Sequence, residues 1–215
     1  MRDDARANAA IEILDEYLKG RNLNNILEAW NQNNKFAGSS DREKIRDTVF
    51  DILRLRNTLK YPLELENICE CGRSLMVSYV LYNSEQIENI FTGSKYGPSH
   101  LNPKEKNVRE KFIKNKRKFF VPQYNAPDFL IEDLKFSLAE KFEKIMDILV
   151  KRAPISIRVN VNKTDLFDVK EKLKNEGIDT EACLGFVQGL RVLNNFRRVK
   201  MSKSFQEGLF DFQDL

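Results

Sequence analysis

The chain has 215 residues, enough for one large or two small domains, and its 41% hydrophobic and 32% charged composition describes a globular protein, not a disordered one. No apolar run approaches the roughly 20 residues needed to span a bilayer. Acidic residues Asp3, Asp4, Glu12, Asp15 and Glu16 replace the apolar core that an export signal requires, and three cysteines give no disulfide framework, so a cytoplasmic location is expected.

The net charge of +4 is unevenly placed. Eight basic residues lie between Lys104 and Lys118 with only Glu105 and Glu110 against them. This stretch is therefore +6 and the remainder −2. Such a concentration creates a local positive potential suited to phosphate, although a charge run also serves as an ordinary solvated face. Phe112, Phe119 and Phe120 are interleaved with the charges, and aromatic rings can stack on bases.

In chain order, Ala10, Ile11, Leu14, Tyr17 and Leu18 predict a first helix over 4–19, closed by Gly20. Leu23, Ile26, Leu27 and Trp30 predict a second. A third is expected to open at Ser40, with Glu43 completing a capping box, and to bury Ile45, Val49, Ile52 and Leu53. Glu66 to Tyr82 predicts a fourth helix, and a short fifth is expected from Ser84 to near Phe91. Gly93, Gly97, Pro98 and Pro103 mark a loop. After the basic stretch, Phe129, Leu130, Leu134 and Leu138 predict one helix, and Phe142, Ile145, Met146, Leu149 and Val150 another.

The pattern then changes. Pro154 disfavours helix at Ala153, and Ile155, Ile157, Val159 and Val161 alternate with Ser156, Arg158, Asn160 and Asn162. Alternation sends the branched set to one face of a strand and a guanidinium with two amides to the other. That polar face is either a surface for phosphates and bases or simply solvated. Leu166, Val169 and Leu173, with the stop at Gly177, predict a helix. Strands are expected over 178–184, 185–193, 196–201 and 209–212, with a turn or short helix at 202–207. The fold class is thus α+β: helices over 1–103, a basic connector over 104–126, and a small α+β domain over 127–215.

Catalytic chemistry is scarce. His100 is the single histidine, Cys69-Glu70-Cys71 lacks metal-knuckle spacing, and the nine glycines form no phosphate or dinucleotide loop. Basic groups dominate the second domain instead. Arg191, Arg197, Arg198, Lys200 and Lys203 add to Arg152 and Arg158 and would form a phosphate-contacting surface if their strands share a sheet. RNA is the polymer such a small sheet domain suits best.

Several segments resemble one family. Lys35 to Arg42, running into Ile45-Arg46-Asp47 and Val49-Phe50-Asp51, resembles the helical N-terminal domain of Sun-type (RsmB-like) ribosomal-RNA cytosine-5 methyltransferases, a domain itself similar to the antitermination factor NusB. Phe91-Thr92-Gly93 and Tyr96-Gly97-Pro98 resemble the loop leaving it. Arg152-Ala153-Pro154 with Arg158-Val159-Asn160, and Ser204 to Gly208 with Gln213-Asp214, resemble the segments that lead into the catalytic domain. The resemblance implies a NusB-like bundle followed by a ferredoxin-like domain. It also implies a Rossmann-like domain beyond "QD" that binds S-adenosylmethionine and carries two cysteines, one after proline and one after threonine. The cysteines here follow Ile68, Glu70 and Ala182, so neither motif is present and no cofactor site is expected in this chain. On this reading small-subunit ribosomal RNA is held by Arg152, Arg158, Asn160, Lys114, Lys116, Arg117, Lys118, Arg197, Arg198 and Lys200, with protein contact through the helical domain. The alternative is a stand-alone RNA-binding, ribosome-assembly or antitermination factor. Exposed Leu209, Phe210 and Phe212 would favour the first reading, and a tail folded onto its own domain the second.

Overall fold

The computed structural model describes residues 1–115 and 124–214. They form two compact units, Met1–Lys151 and Arg152–Leu215. The first is helical: α1 Asp3–Leu18, α2 Leu23–Asn33, α3 Ser39–Arg54, α4 Arg56–Leu65, α5 Gly72–Tyr82, α6 Ile87–Ile90, α7 Pro103–Lys114, α8 Asp128–Leu138 and α9 Phe142–Leu149. Helix α1 packs on both α3 and α5, and Ala10, Leu14, Val49, Ile52, Leu59 and Leu75 meet in a fully buried core. Gly72 makes the α1–α5 approach possible, because an added Cβ would collide with the Ile11 carbonyl.

Asp4 is buried at the start of α1 and receives the Thr92 hydroxyl at 2.8 Å and the Ser94 hydroxyl at 2.7 Å. Burial alone would raise its pKa, but the hydrogen bonds from Ser94, Thr92 and the Ala5 amide, with the Arg2 charge, hold it below the usual carboxylate value. The 92–98 loop is tied to α1 in this way. Glu105 is also buried. Its carboxylate accepts the Asn102 amide at 2.8 Å, completing a capping box for α7, and takes a two-point ion pair from Arg73 at 2.7 and 2.8 Å. Arg73 continues to the Ser99 and His100 carbonyls and stacks over Phe91 at 5.0 Å. One arginine thus joins α5, the loop and α7.

Several expectations are corrected here. No single helix spans 66–82: α4 ends at Leu65, and α5 starts only at Gly72, capped by the Cys71 thiol and the Ser74 hydroxyl. Cys69 and Cys71 therefore precede a helix instead of lying on one. Helix α4, with Pro62 inside it, was not expected. The α3 N-cap is Gly38, so Ser40 does not cap, and Ser84 closes α5 at φ 59° instead of opening α6.

The second unit contains β1 Ile155–Val159, α10 Leu166–Asn175, β2 Thr180–Ala182, β3 Gly189–Val192, a 3-10 turn at Val199–Met201, α11 Lys203–Gln206 and β4 Phe210–Phe212. The antiparallel sheet runs β2-β3-β1-β4, the split βαβ arrangement of a ferredoxin-like domain. Ile157, Val159, Leu190, Val192 and Phe210 face Val169, Leu173, Ile178 and Val199 in a separate core. The expected strand over 196–201 is instead the 3-10 turn, because Asn195 adopts φ 49° and Arg198 N–H closes onto its carbonyl at 2.8 Å. Strand β1 stops at Val159, so Val161 leaves the sheet and is exposed.

Candidate nucleic-acid interface

The second unit's sheet has one covered and one open face. Because side chains alternate, β1 turns Ser156 and Arg158 outward while Ile155, Ile157 and Val159 enter the core. Register then fixes the neighbours. Ser156 lies opposite Arg191, which lies opposite Glu181, and Arg158 lies between Gly189 and Asp211. Arg158 and Arg191 are thus diagonal neighbours on an exposed surface. Each has a carboxylate within its row, and Arg191 reaches Glu181 at 3.4 Å. The open face is balanced in charge. Its strands present no aromatic, since Phe210 and Phe212 turn to the covered side and tilt against Phe205 at 5.7 Å, but Phe186 of the β2–β3 turn lines a hollow with Ser156, Glu181 and Arg191. The strands themselves therefore offer bases no ring platform of the kind many RNA-binding sheets use.

The remaining expected residues separate into distinct places. Arg152 precedes β1, with its guanidinium 5.5 Å from the Phe196 ring, and exposed Arg197 and Arg198 occupy the adjoining turn. Lys200 sits over Phe212 at 5.4 Å, beside the short helix and not on the open face. Asn160 lies at the other end of β1, about 25 Å from Arg152 at the rise of an extended chain. Its side chain donates to the Gly208 carbonyl at 3.3 Å and accepts the Asn162 amide at 3.3 Å, so it holds the turn together. Of the basic stretch, Lys114 ends α7 and is exposed, while Lys116, Arg117 and Lys118 lie outside the described residues. Within α7, Arg109 pairs with Glu88 and Lys111 with Glu66, so two of the eight positive charges meet acids that the local sequence did not reveal. Lys104, Lys106 and Lys114 take no ion pair among the described residues.

Alternation alone could not find Asp211 and Glu181 beside the arginines, because their placement depends on pairing between distant strands. Gln188 was missed too: its carbonyl accepts the Val159 amide at 2.9 Å, bringing the β2–β3 hairpin to the end of β1. Among the described residues no group of histidine, cysteine and carboxylate side chains could hold a metal, and no helix is long and apolar enough to cross a membrane.

Residues 126–199 match the family described as "Methyltr_RsmF/B-like, ferredoxin-like domain". The chain is similar in fold to the structure titled "Crystal Structure of PH0851", at 20% sequence identity and a TM-score of 0.50, covering 98% of this chain and 53% of that one. It therefore spans about half the length of that relative. No curated protein matches it.

Proposed function

We propose that this chain, whose residues 126–199 match the RsmF/B-like methyltransferase ferredoxin-like domain, is the RNA-binding N-terminal portion of a ribosomal-RNA cytosine-C5 methyltransferase. In this reading a NusB-like helical domain and the ferredoxin-like domain position small-subunit RNA in the cytoplasm. A catalytic domain outside these 215 residues supplies S-adenosylmethionine binding and the cysteines. The glycine-rich loop that would hold that cofactor has no counterpart among the nine glycines, and no chemical step is assigned to residues of this chain. The observation that carries the reading is that the matched domain presents Arg158 and Arg191 side by side on an uncovered sheet. The Arg152–Arg198 end of the same unit supplies further phosphate contacts, and in the helical unit the basic α7 supplies phosphate contacts of its own beside a surface for protein.

Arg158→Ala tests the reading. Its side chain is exposed and its removal leaves the core intact, so the unfolding free energy stays unchanged within about 0.5 kcal/mol. RNA affinity, measured by fluorescence anisotropy, falls about five- to tenfold. Unchanged affinity in the folded variant removes Arg158 from the interface.

A second reading, the stand-alone factor, is favoured by one observation: Leu209 and Phe210 are buried as β4 completes the sheet. That burial serves any four-stranded domain of this topology, so it does not weigh heavily against the first reading. Intact mass separates the two. An antibody against this 25.1 kDa chain should detect a native protein of roughly twice that mass, since a catalytic domain adds about as much again. A band at the fragment mass would establish the stand-alone factor.

A further inference from the structure

Where β1 leaves the sheet, the turns 160–164 after β1 and 207–209 before β4 meet Gln188, the last residue before β3. Between them lies a hollow of about 550 Å³, inside the roughly 300–1,000 Å³ range of small-ligand sites. Val159 and Phe210 contribute apolar surface, and Arg158, Asn162, Gln188 and Asp211 contribute planar polar groups. Among the described residues the Arg158 guanidinium and the Asn162 and Gln188 side-chain amides take no hydrogen bond. Asn160 is different, because its amide is used in bracing the turn.

The geometry points to this hollow as a recognition site for an unpaired purine base of RNA, an inference that rests on the RNA-binding reading above. Arginine bonds the O6 and N7 edge of guanine, and asparagine or glutamine bonds the N6 and N7 edge of adenine. Asp211 accepts from ring N–H or amino groups. The lining carries one guanidinium and one carboxylate, a neutral set that suits a base edge better than a phosphate. Lys163 stands beside the hollow with its ammonium on the Glu207 carbonyl at 2.8 Å and within 3.0 Å of where a Gly208 Cβ would lie, placed to meet the phosphate of the same nucleotide. Gly208 holds φ at 67° and keeps that side of the rim free of a side chain. The ligand is therefore a single-stranded or flipped-out purine, because a base within a duplex cannot enter a hollow at the end of a sheet.

The test uses the full 215-residue chain and three labelled RNAs at one salt concentration: an alternating adenine–guanine decamer, the complementary pyrimidine decamer and the duplex of the two. The chain should bind the purine strand about tenfold more tightly than the duplex, and Asn162→Ala and Gln188→Ala should each erase most of that preference while leaving duplex affinity and melting temperature unchanged. Both side chains lie at the surface or rim, so these variants fold; Gln188→Glu, which adds a charge without removing volume, should act in the same direction. Equal binding of all three RNAs, or variants that keep the purine preference, overturns the hollow as a base site and leaves the RNA-binding reading standing. No binding to any RNA overturns both.

Discussion

Glu105→Ala should lower the stability of the helical unit by about 3 kcal/mol, the lower end of the range for breaking a buried charge pair. Glu105 is 4% exposed, and loss of its carboxylate strands Arg73, which is only partly open to solvent and cannot rehydrate fully. The α7 capping box goes with it, because the Asn102 amide loses its acceptor. Glu105→Gln should cost less, since an amide oxygen still accepts from Asn102 or Arg73 but no longer meets the charge. Urea denaturation followed by the fluorescence of Trp30, the chain's single tryptophan and a member of the helical unit, reads the effect. A loss below about 1 kcal/mol for Glu105→Ala would show that Arg73 finds equivalent partners in the Ser99 and His100 carbonyls.

Ile157→Ala should remove about 3–4 kcal/mol from the second unit, through lost transfer energy and the cavity left behind. Ile157 is fully buried in the central strand, hydrogen-bonded through β1 to both β3 and β4, so no edge can collapse into the gap. Amide exchange across β1 and β3 should accelerate at least a hundredfold if these amides exchange by opening of the unit. An acceleration below tenfold would mean that the neighbouring Leu190 and Phe210 repack around the alanine.

The strands and helices were legible to different degrees, for identifiable reasons. Strand β1 could be read because alternating branched residues leave one way to bury them, and the same alternation exposed Arg158. The resemblance to the methyltransferase family was carried by short segments distributed along the chain, and the ferredoxin-like match falls on the part where β1 lies. Helix α4 was hidden by Pro62, which reads as a breaker although Leu59 and Leu63 bury one turn apart around it. The start of α5 was hidden because a cysteine thiol and a serine make its cap, a pairing outside the usual capping residues. The interface was least legible. Which arginine faces which acid follows from register between strands far apart in sequence, and no local pattern encodes that.

The strand order also sets a timetable for synthesis. Strand β1 is central, yet both of its neighbours come later in the chain: Ile157 must wait for Leu190 and then for Phe212 before either side is paired. At roughly 5–20 residues per second, a nascent chain holds β1 unpaired for several seconds, whereas α1, α3 and α5 can already assemble. During that interval the segment Ile155–Val159 is a branched, apolar strand with two open edges, the form most prone to pair with another chain. Arg158 within it and Pro154 just before it act as gatekeepers against that fate. If the proposed interface holds, one arginine would thus serve the finished domain and also protect the unfinished one.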